Sequence, residues 1–507
     1  MQVDAYRLAA KTVLDAEICI VGAGPAGITL AREFIGRKTT VAIIESGGLN
    51  FDARIQELNE GTVIGAEYAG LRQTRCRQVG GTAHLWNTSV GGGIGAKYVP
   101  LDPRDFAETP NAINTKWPLN YRDLEAYYPL AHKVCSLGPF EYDGAAWADD
   151  THPLIALESA RLSAGVYQCG SGRLFTETYP QELATSGNIC LCRHATLLHF
   201  RMSNDGRKVI EANCVSSTGT PFVARASCFV LAAGAIENAR LLLLSRESTR
   251  DGDTWIGRCF MEHPRDYALT LHPRTPDLFQ QATFFDVHTA RDGTVVVGRI
   301  ALDGPTLRRL DLPNASITLL PRPKAAPARL SVARIAWHVR RLIKSESYVG
   351  GYGWSRHANL ADACDAFQLL INLEQQPNPE NRLLLARTRD AFGSPRVDLF
   401  WRWSAREQEN LQRLRMVIAS ALEDSGLGRV EINAGLRPDP NAHHHSGTTR
   451  MHADPRWGVT DADGRVHGTD NLFVTGSSIF CSAGFANPTL TIVAFALRLA
   501  DHLKARL

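Results

Sequence analysis

The segment Glu17-Ile18-Cys19-Ile20-Val21 is apolar after its first residue, the pattern of a strand buried on both faces of a parallel sheet. Gly22-Ala23-Gly24-Pro25-Ala26-Gly27 follows at once, residues 28–34 carry helical apolar spacing, and residues 40–44 form a second apolar run ending in Glu45. This order predicts a β-α-β unit. A similar series recurs far along the chain: strand Cys228-Phe229-Val230-Leu231, the small-residue turn Ala232-Ala233-Gly234-Ala235, and a helix over residues 236–244. The chain therefore returns to its first layer after an excursion, and the intervening residues belong to a second unit built from discontinuous pieces. A last helix is predicted over residues 489–500, opened by Asn487-Pro488. Gly91-Gly92-Gly93-Ile94-Gly95 has no strand before it and no helix after it, and reads as a loop.

Composition narrows the class without naming it. The 507 residues are 44% hydrophobic and 21% charged, with a formal net charge of +3, so nothing points to nucleic acid. No uncharged apolar run reaches the roughly 18 residues of a membrane span, and residues 1–16 lack the pattern of a signal peptide. The 11 cysteines are odd in number and scattered, which fits a reducing cytoplasm better than a disulfide framework. Between Leu312 and Ser345 there are seven basic residues and no acidic one, and Val332, Ile335, Ala336, Val339, Leu342 and Ile343 share a helical face. The readings of this 322–344 segment are a solvated basic helix, a docking face for a redox partner, or an interfacial helix on anionic lipid.

The chemistry sits at the two ends. Gly22, Gly24 and Gly27 divide three tasks: a tight turn, close approach of backbone to a pyrophosphate, and close packing of helix on strand. Glu45 stands where an acid accepts hydrogen bonds from a ribose. Gly80-Gly81-Thr82 is a further turn at which backbone can approach a cofactor. There is no second strand-GxGxxG-helix unit, which argues against separate sites for FAD and NADPH. Near the C-terminus, His443-His444-His445-Ser446-Gly447-Thr448 precedes Gly476-Ser477-Ser478 and Asn487-Pro488-Thr489-Leu490-Thr491. An imidazole titrates near neutrality, so His444 is the candidate base that takes a hydroxyl proton as hydride leaves the adjacent carbon. A metal cluster is disfavoured: in extended chain His443 and His445 share one face and His444 the other, with no carboxylate or cysteine nearby in sequence. Asn487 has two readings, direct substrate contact or the N-cap of a helix with Pro488 in its first turn.

Taken together these motifs resemble the glucose–methanol–choline (GMC) flavoprotein oxidoreductases. The likeness rests on the N-terminal fingerprint, Gly80-Gly81-Thr82, Leu231 to Ala235, Gly257-Arg258 with Glu262-His263-Pro264, His-x-x-Gly-Thr at 444–448 and Asn-Pro-x-Leu-Thr at 487–491. Gln375-Gln376-Pro377-Asn378-Pro379-Glu380-Asn381-Arg382 and Asp390-Ala391-Phe392-Gly393 make it more similar to bacterial sugar and glycoside dehydrogenases and pyranose oxidase. The resemblance implies a Rossmann-type FAD-binding domain with a discontinuous α+β substrate domain on an antiparallel sheet. The expected division is residues 1–110, 186–270 and 439–507 for FAD, and 111–185 and 271–438 for substrate.

It also implies oxidation of a CH–OH group, with His444 and Asn487 catalytic and hydride passing to flavin N5. Gly22, Gly24, Gly27, Glu45, Gly80, Gly81, Thr82, Ala233, Gly476, Ser477, Pro488 and Thr489 would bind the cofactor. Members with a histidyl-linked flavin carry that histidine one place beyond His84, where this chain has Leu85, so non-covalent FAD is expected. Partners would be a sugar or alcohol and an electron acceptor, either oxygen or a protein. The competing readings are a non-redox lyase on the same fold and a flavin-binding partner in a redox complex. Trp337, Tyr348, Tyr352, Trp354, Trp401 and Trp403 are candidates both for sugar stacking and for ordinary core.

Overall fold

The computed structural model describes residues 2–90, 93–107, 116–157, 161–245, 255–324, 353–357, 359–485 and 487–507. The basic segment from 325 to 344, with Trp337, Tyr348 and Tyr352, lies outside them. Among the described residues three sheets make up a mixed α/β architecture.

The first sheet has eight strands. Gln2–Asp4, Ile189–Arg193, Val41–Ile44, Val13–Val21 and Pro221–Leu231 run parallel in that order. Pro221–Leu231 also pairs antiparallel with Val209–Ser216 near its start, and parallel with Leu472–Val474 at its end. Ala195–Met202 then pairs antiparallel with Val209–Ser216. Val41–Ile44 is buried at every position, and so are the last four residues of Val13–Val21, as the continuous apolar runs require. The helix Pro25–Arg32 leaves the end of Val13–Val21, and Ala235–Ser245 leaves the end of Pro221–Leu231. The C-terminal helix spans Thr489–Arg506 rather than stopping at residue 500. Leu503 keeps the apolar face buried for another turn, and Lys504 and Arg506 suit the negative end of the helix dipole. This helix packs on Pro25–Arg32, and Lys504 Nζ reaches Glu33 Oε2 at 2.7 Å.

The second sheet has ten strands. Gly428–Ile432, Leu269–Pro273, Cys364–Leu373, Ala315–Pro323, Val295–Leu302, Leu162–Ser171, Gly93–Tyr98 and Thr88–Val90 lie side by side, each pair antiparallel. Successive residues face opposite cores. Tyr167 and Val297 face the core shared with the first sheet, while Val166 and Val296 face the core under the helix Ala405–Asp424. A third, small sheet joins Arg382–Arg389, Pro395–Trp401 and Gly61–Gly65.

Two expectations are corrected. Gly93-Ile94-Gly95 opens a strand and is not a loop. A Cβ at Gly95 would stand 2.1 Å from the Gly170 carbonyl oxygen, so glycine lets two strands approach where no apolar run announces one. The division expected at residue 110 also falls too late, because residues 88–98 pair within the second sheet. Among the described residues no helix is long and apolar enough to cross a membrane. All 11 cysteines are free.

Candidate active site

The ends of the first sheet's strands open into a cleft of about 1490 Å³ counted with its mouth and the solvent there. Gly22, Gly24, Glu45, Gly81, Thr82, Ala233, Gly476, Ser477, Pro488 and Thr489 all line it, as do His444 and Asn487. Gly27 and Gly80 stand behind the wall. A Cβ at Gly27 would meet the Gly22 carbonyl oxygen at 2.0 Å, so this glycine holds the helix against the turn. Gly80 donates its N–H to the Ala23 carbonyl at 2.7 Å, which ties the two glycine turns together. At Gly24 the nearest atom to an added Cβ is the Gly81 Cα at 3.9 Å, and the backbone is bare toward the cleft. Two helix starts, Pro25–Arg32 and Thr489–Arg506, border the same space without side-chain caps, leaving first-turn N–H groups for an anion.

Glu45 has a structural task of its own. Its two oxygens accept the N–H groups of Ala23 at 2.8 Å and Gly47 at 2.7 Å, so it braces the turn it follows. Burial raises its pKa, while those two N–H groups and Arg77 pull the other way. Spare lone pairs on the same oxygens remain for a hydroxyl.

Across the cleft, Asn487 Nδ2 lies 3.2 Å from His444 Nε2. Asn487 makes no capping bond: the N-cap of the last helix is Pro488, with no side-chain cap. His444 Nδ1 lies 3.1 Å from His263 Nδ1, and His263 Nε2 lies 3.0 Å from the Ala483 carbonyl. Burial, then the charges of His263, Lys97, Arg265 and His443, holds the His444 pKa well below the ordinary value of 6.5. The imidazole is therefore unprotonated at neutral pH. The three histidines do not run in regular extended chain, since His443 has φ 63°. His444 turns to Asn487 and His445 to the Tyr68 hydroxyl, at 2.8 Å.

Glu262 joins the two histidine segments from below. Its Oε2 accepts the N–H groups of His263 at 3.0 Å and His444 at 2.9 Å, and its Oε1 accepts the Tyr68 hydroxyl at 2.6 Å. Burial raises this carboxyl to about 7. Gln375 Oε1 accepts both the Glu262 N–H at 3.0 Å and the Trp401 indole N–H at 3.1 Å, so the 375–382 motif braces the site from outside the cleft. Sequence reasoning had no role for Tyr68 and none for Glu262 or His263 beyond the resemblance. It also missed Glu237, ringed by Arg77 at 2.8 Å, Arg240 at 2.7 Å and Arg75 at 3.5 Å. Burial opposes ionisation there, but the three guanidinium groups outweigh it and hold the carboxyl well below its usual range. Trp354, Trp401 and Trp403 do not line the cleft. Trp354 belongs to the second core, Trp401 and Trp403 pack on each other, and Trp86 forms part of the cleft wall.

The cleft thus brings the glycine turns to an imidazole and a carboxamide, and comparison with known proteins adds a second line. Residues 377–496 match the family model described as GMC oxidoreductase, and the protein is an oxidoreductase. It is 24% identical to the 6'''-hydroxyparomomycin C oxidase of Streptomyces lividus over 96% of this chain and 92% of that protein. It is 22% identical to the fructose dehydrogenase large subunit of Gluconobacter japonicus, over 97% and 98% of the two chains. Its fold matches the crystal structure of pyridoxine 4-oxidase from Mesorbium loti with a TM-score of 0.55 at 17% identity, covering 97% of this chain and 99% of that one.

Proposed function

We propose that this protein oxidises a CH–OH group of a sugar, glycoside or related secondary alcohol, with non-covalent FAD as oxidant. The observation that carries the reading is the 3.2 Å approach of Asn487 Nδ2 to His444 Nε2 in the cleft that also holds the Gly22–Gly24 turn. The residues present fit the dinucleotide: bare backbone at Gly24, two uncapped helix starts, and Glu45 at the end of a strand. The first sheet and its helices serve as the Rossmann-type FAD domain and the antiparallel sheet as the substrate domain. Leu85, which lines the cleft, has no nucleophilic atom, and His84 is not among the lining residues, its Nε2 bonding to the Val79 carbonyl at 2.8 Å; this supports a non-covalent cofactor. A sugar substrate is favoured by relatives named for an aminoglycoside and for fructose.

When bound, FAD supplies the two-electron acceptor for hydride. His444 Nε2 takes the hydroxyl proton as the C–H bond breaks, and the Asn487 amide holds the oxygen in line with that nitrogen. The low proton affinity of His444 keeps it ready as a base at neutral pH. The electrons leave to oxygen or to another acceptor.

The test is anaerobic mixing of the holoenzyme with a panel of sugars, glycosides and secondary alcohols. Bleaching of the flavin absorbance with formation of the carbonyl product is expected. Product without bleaching would instead mark a lyase, and no response to any compound would sink the oxidase reading. Re-oxidation in air then separates oxygen from other acceptors.

A further inference from the structure

Three polar contacts in a row decide where the protons of the His444 site must sit. The Ala483 carbonyl can only accept, so His263 Nε2, 3.0 Å away, carries a hydrogen. His263 is 1% exposed, and burial lowers its pKa from 6.5 to about 4, so the ring is neutral near pH 7 and holds that one hydrogen alone. Its Nδ1 is then a bare lone pair. His444 Nδ1 faces this lone pair at 3.1 Å and must supply the hydrogen between them. His444 is also neutral, which leaves its Nε2 bare toward the cleft, facing the amide N–H of Asn487 at 3.2 Å. The opposite tautomer would set two lone pairs against each other at 3.1 Å, with no other donor on either Nδ1 among the described residues.

We infer that His263 is a positioning residue: it fixes the tautomer of His444 through an imidazole–imidazole hydrogen bond, so that Nε2 is the nitrogen that accepts the substrate proton. The inference rests on the reading of His444 as base, and it adds why that base faces the cleft with a lone pair. The proton balance is simple. The hydroxyl proton moves to His444 Nε2, its Nδ1 keeps the original hydrogen, and the His263 bond becomes charge-assisted and stronger as the imidazolium forms. Glu262 sets the geometry from beneath, because one carboxylate oxygen holds the backbone N–H of both histidines. The support thus favours the protonated form as it develops, without competing for the proton.

Neutron diffraction of a deuterated holoenzyme crystal tests this directly. Deuterium is expected on His263 Nε2 and His444 Nδ1, and deuterium on His444 Nε2 would overturn the inference. Kinetics supply the second arm. His263→Asn places an amide oxygen where Nδ1 stands and is expected to reduce flavin within about 3-fold of the parent rate; His263→Leu removes the acceptor and is expected to slow reduction by about 10-fold or more with little change in substrate Kd. Equal rates for the Leu variant and the parent would refute it. If His263→Leu does not fold, the Asn variant and the neutron map still decide. The base reading fails separately, if His444→Ala reduces flavin at the parent rate, whatever the neutron map shows.

Discussion

Asn487 brings its amide nitrogen to 3.2 Å from His444 Nε2 across 43 residues of sequence, and it does so from the threshold of a helix that it does not cap. An Asn-Pro pair before a helix ordinarily serves the helix. Here Pro488 opens the helix alone, and the carboxamide is free to act on the imidazole.

Replacing His444 by Ala is expected to leave FAD bound and to slow anaerobic flavin reduction by about 100-fold or more, the cost of losing a general base. Stopped-flow absorbance checks this, and a parent-like rate would remove His444 from the mechanism.

Asn487→Ala separates catalysis from capping. Its loss of stability is expected to stay below the roughly 1 kcal/mol of an ordinary N-cap, while flavin reduction falls by about 5-fold, the worth of one hydrogen bond. A drop in stability at or above the capping value, with reduction untouched, would return Asn487 to a structural role.

Gly27→Ala puts a methyl group where the Gly22 carbonyl oxygen would be only 2.0 Å away. The helix must move off the strand, at a cost of about 1–3 kcal/mol, and the phosphate turn moves with it. The purified variant is expected to have lost most of its flavin absorbance. A fully yellow, parent-like preparation would show that the turn tolerates the shift.

Glu262 and His263 are neighbours with opposite pH signatures. The Glu262 carboxyl rises from 4.5 to about 7, so its contribution to stability is full below pH 4.5 and is lost as pH climbs through 7. His263 falls from 6.5 to about 4, so its contribution is full above pH 6.5 and is lost as pH drops through 4. Between those limits the two slopes oppose each other. Glu262→Gln keeps the acceptor oxygen and removes one slope. Its stability relative to the parent is expected to rise between pH 4.5 and 7 by on the order of 3 kcal/mol. Urea denaturation across that window reads it, and a difference independent of pH would count against it.

Acid precipitation of the holoenzyme is expected to release the flavin into the supernatant, because Leu85 lines the cleft without a nucleophilic atom and His84 is not among the lining residues. Yellow colour that stays with the pellet would contradict this.

The parts of the site written in short, local patterns were readable from sequence. Gly22, Gly24 and Glu45 sit within one strand–turn–helix–strand unit, and the roles proposed for His444 and Asn487 rest on motifs a few residues long. What was not readable depends on partners far along the chain. His263 meets His444 over 181 residues, and Tyr68 meets Glu262 over 194. Gly95 looked like a loop because the strand it opens is defined by Gly170 and not by its own side chains. Trp401 and Trp403 had the composition of a sugar platform, yet Tyr68 and Gln375 hold Trp401 away from the cleft.

The cleft closes only when residues 13–32 are joined by residues 472–506. Leu472–Val474 completes the edge beside residues 229–231, and Thr489–Arg506 seats against Pro25–Arg32. At translation rates of about 5–20 residues per second, the glycine turn waits roughly 20–90 s on the ribosome for its counterpart. Nascent chains shorter than residue 472 therefore carry a glycine turn with nothing to close over it.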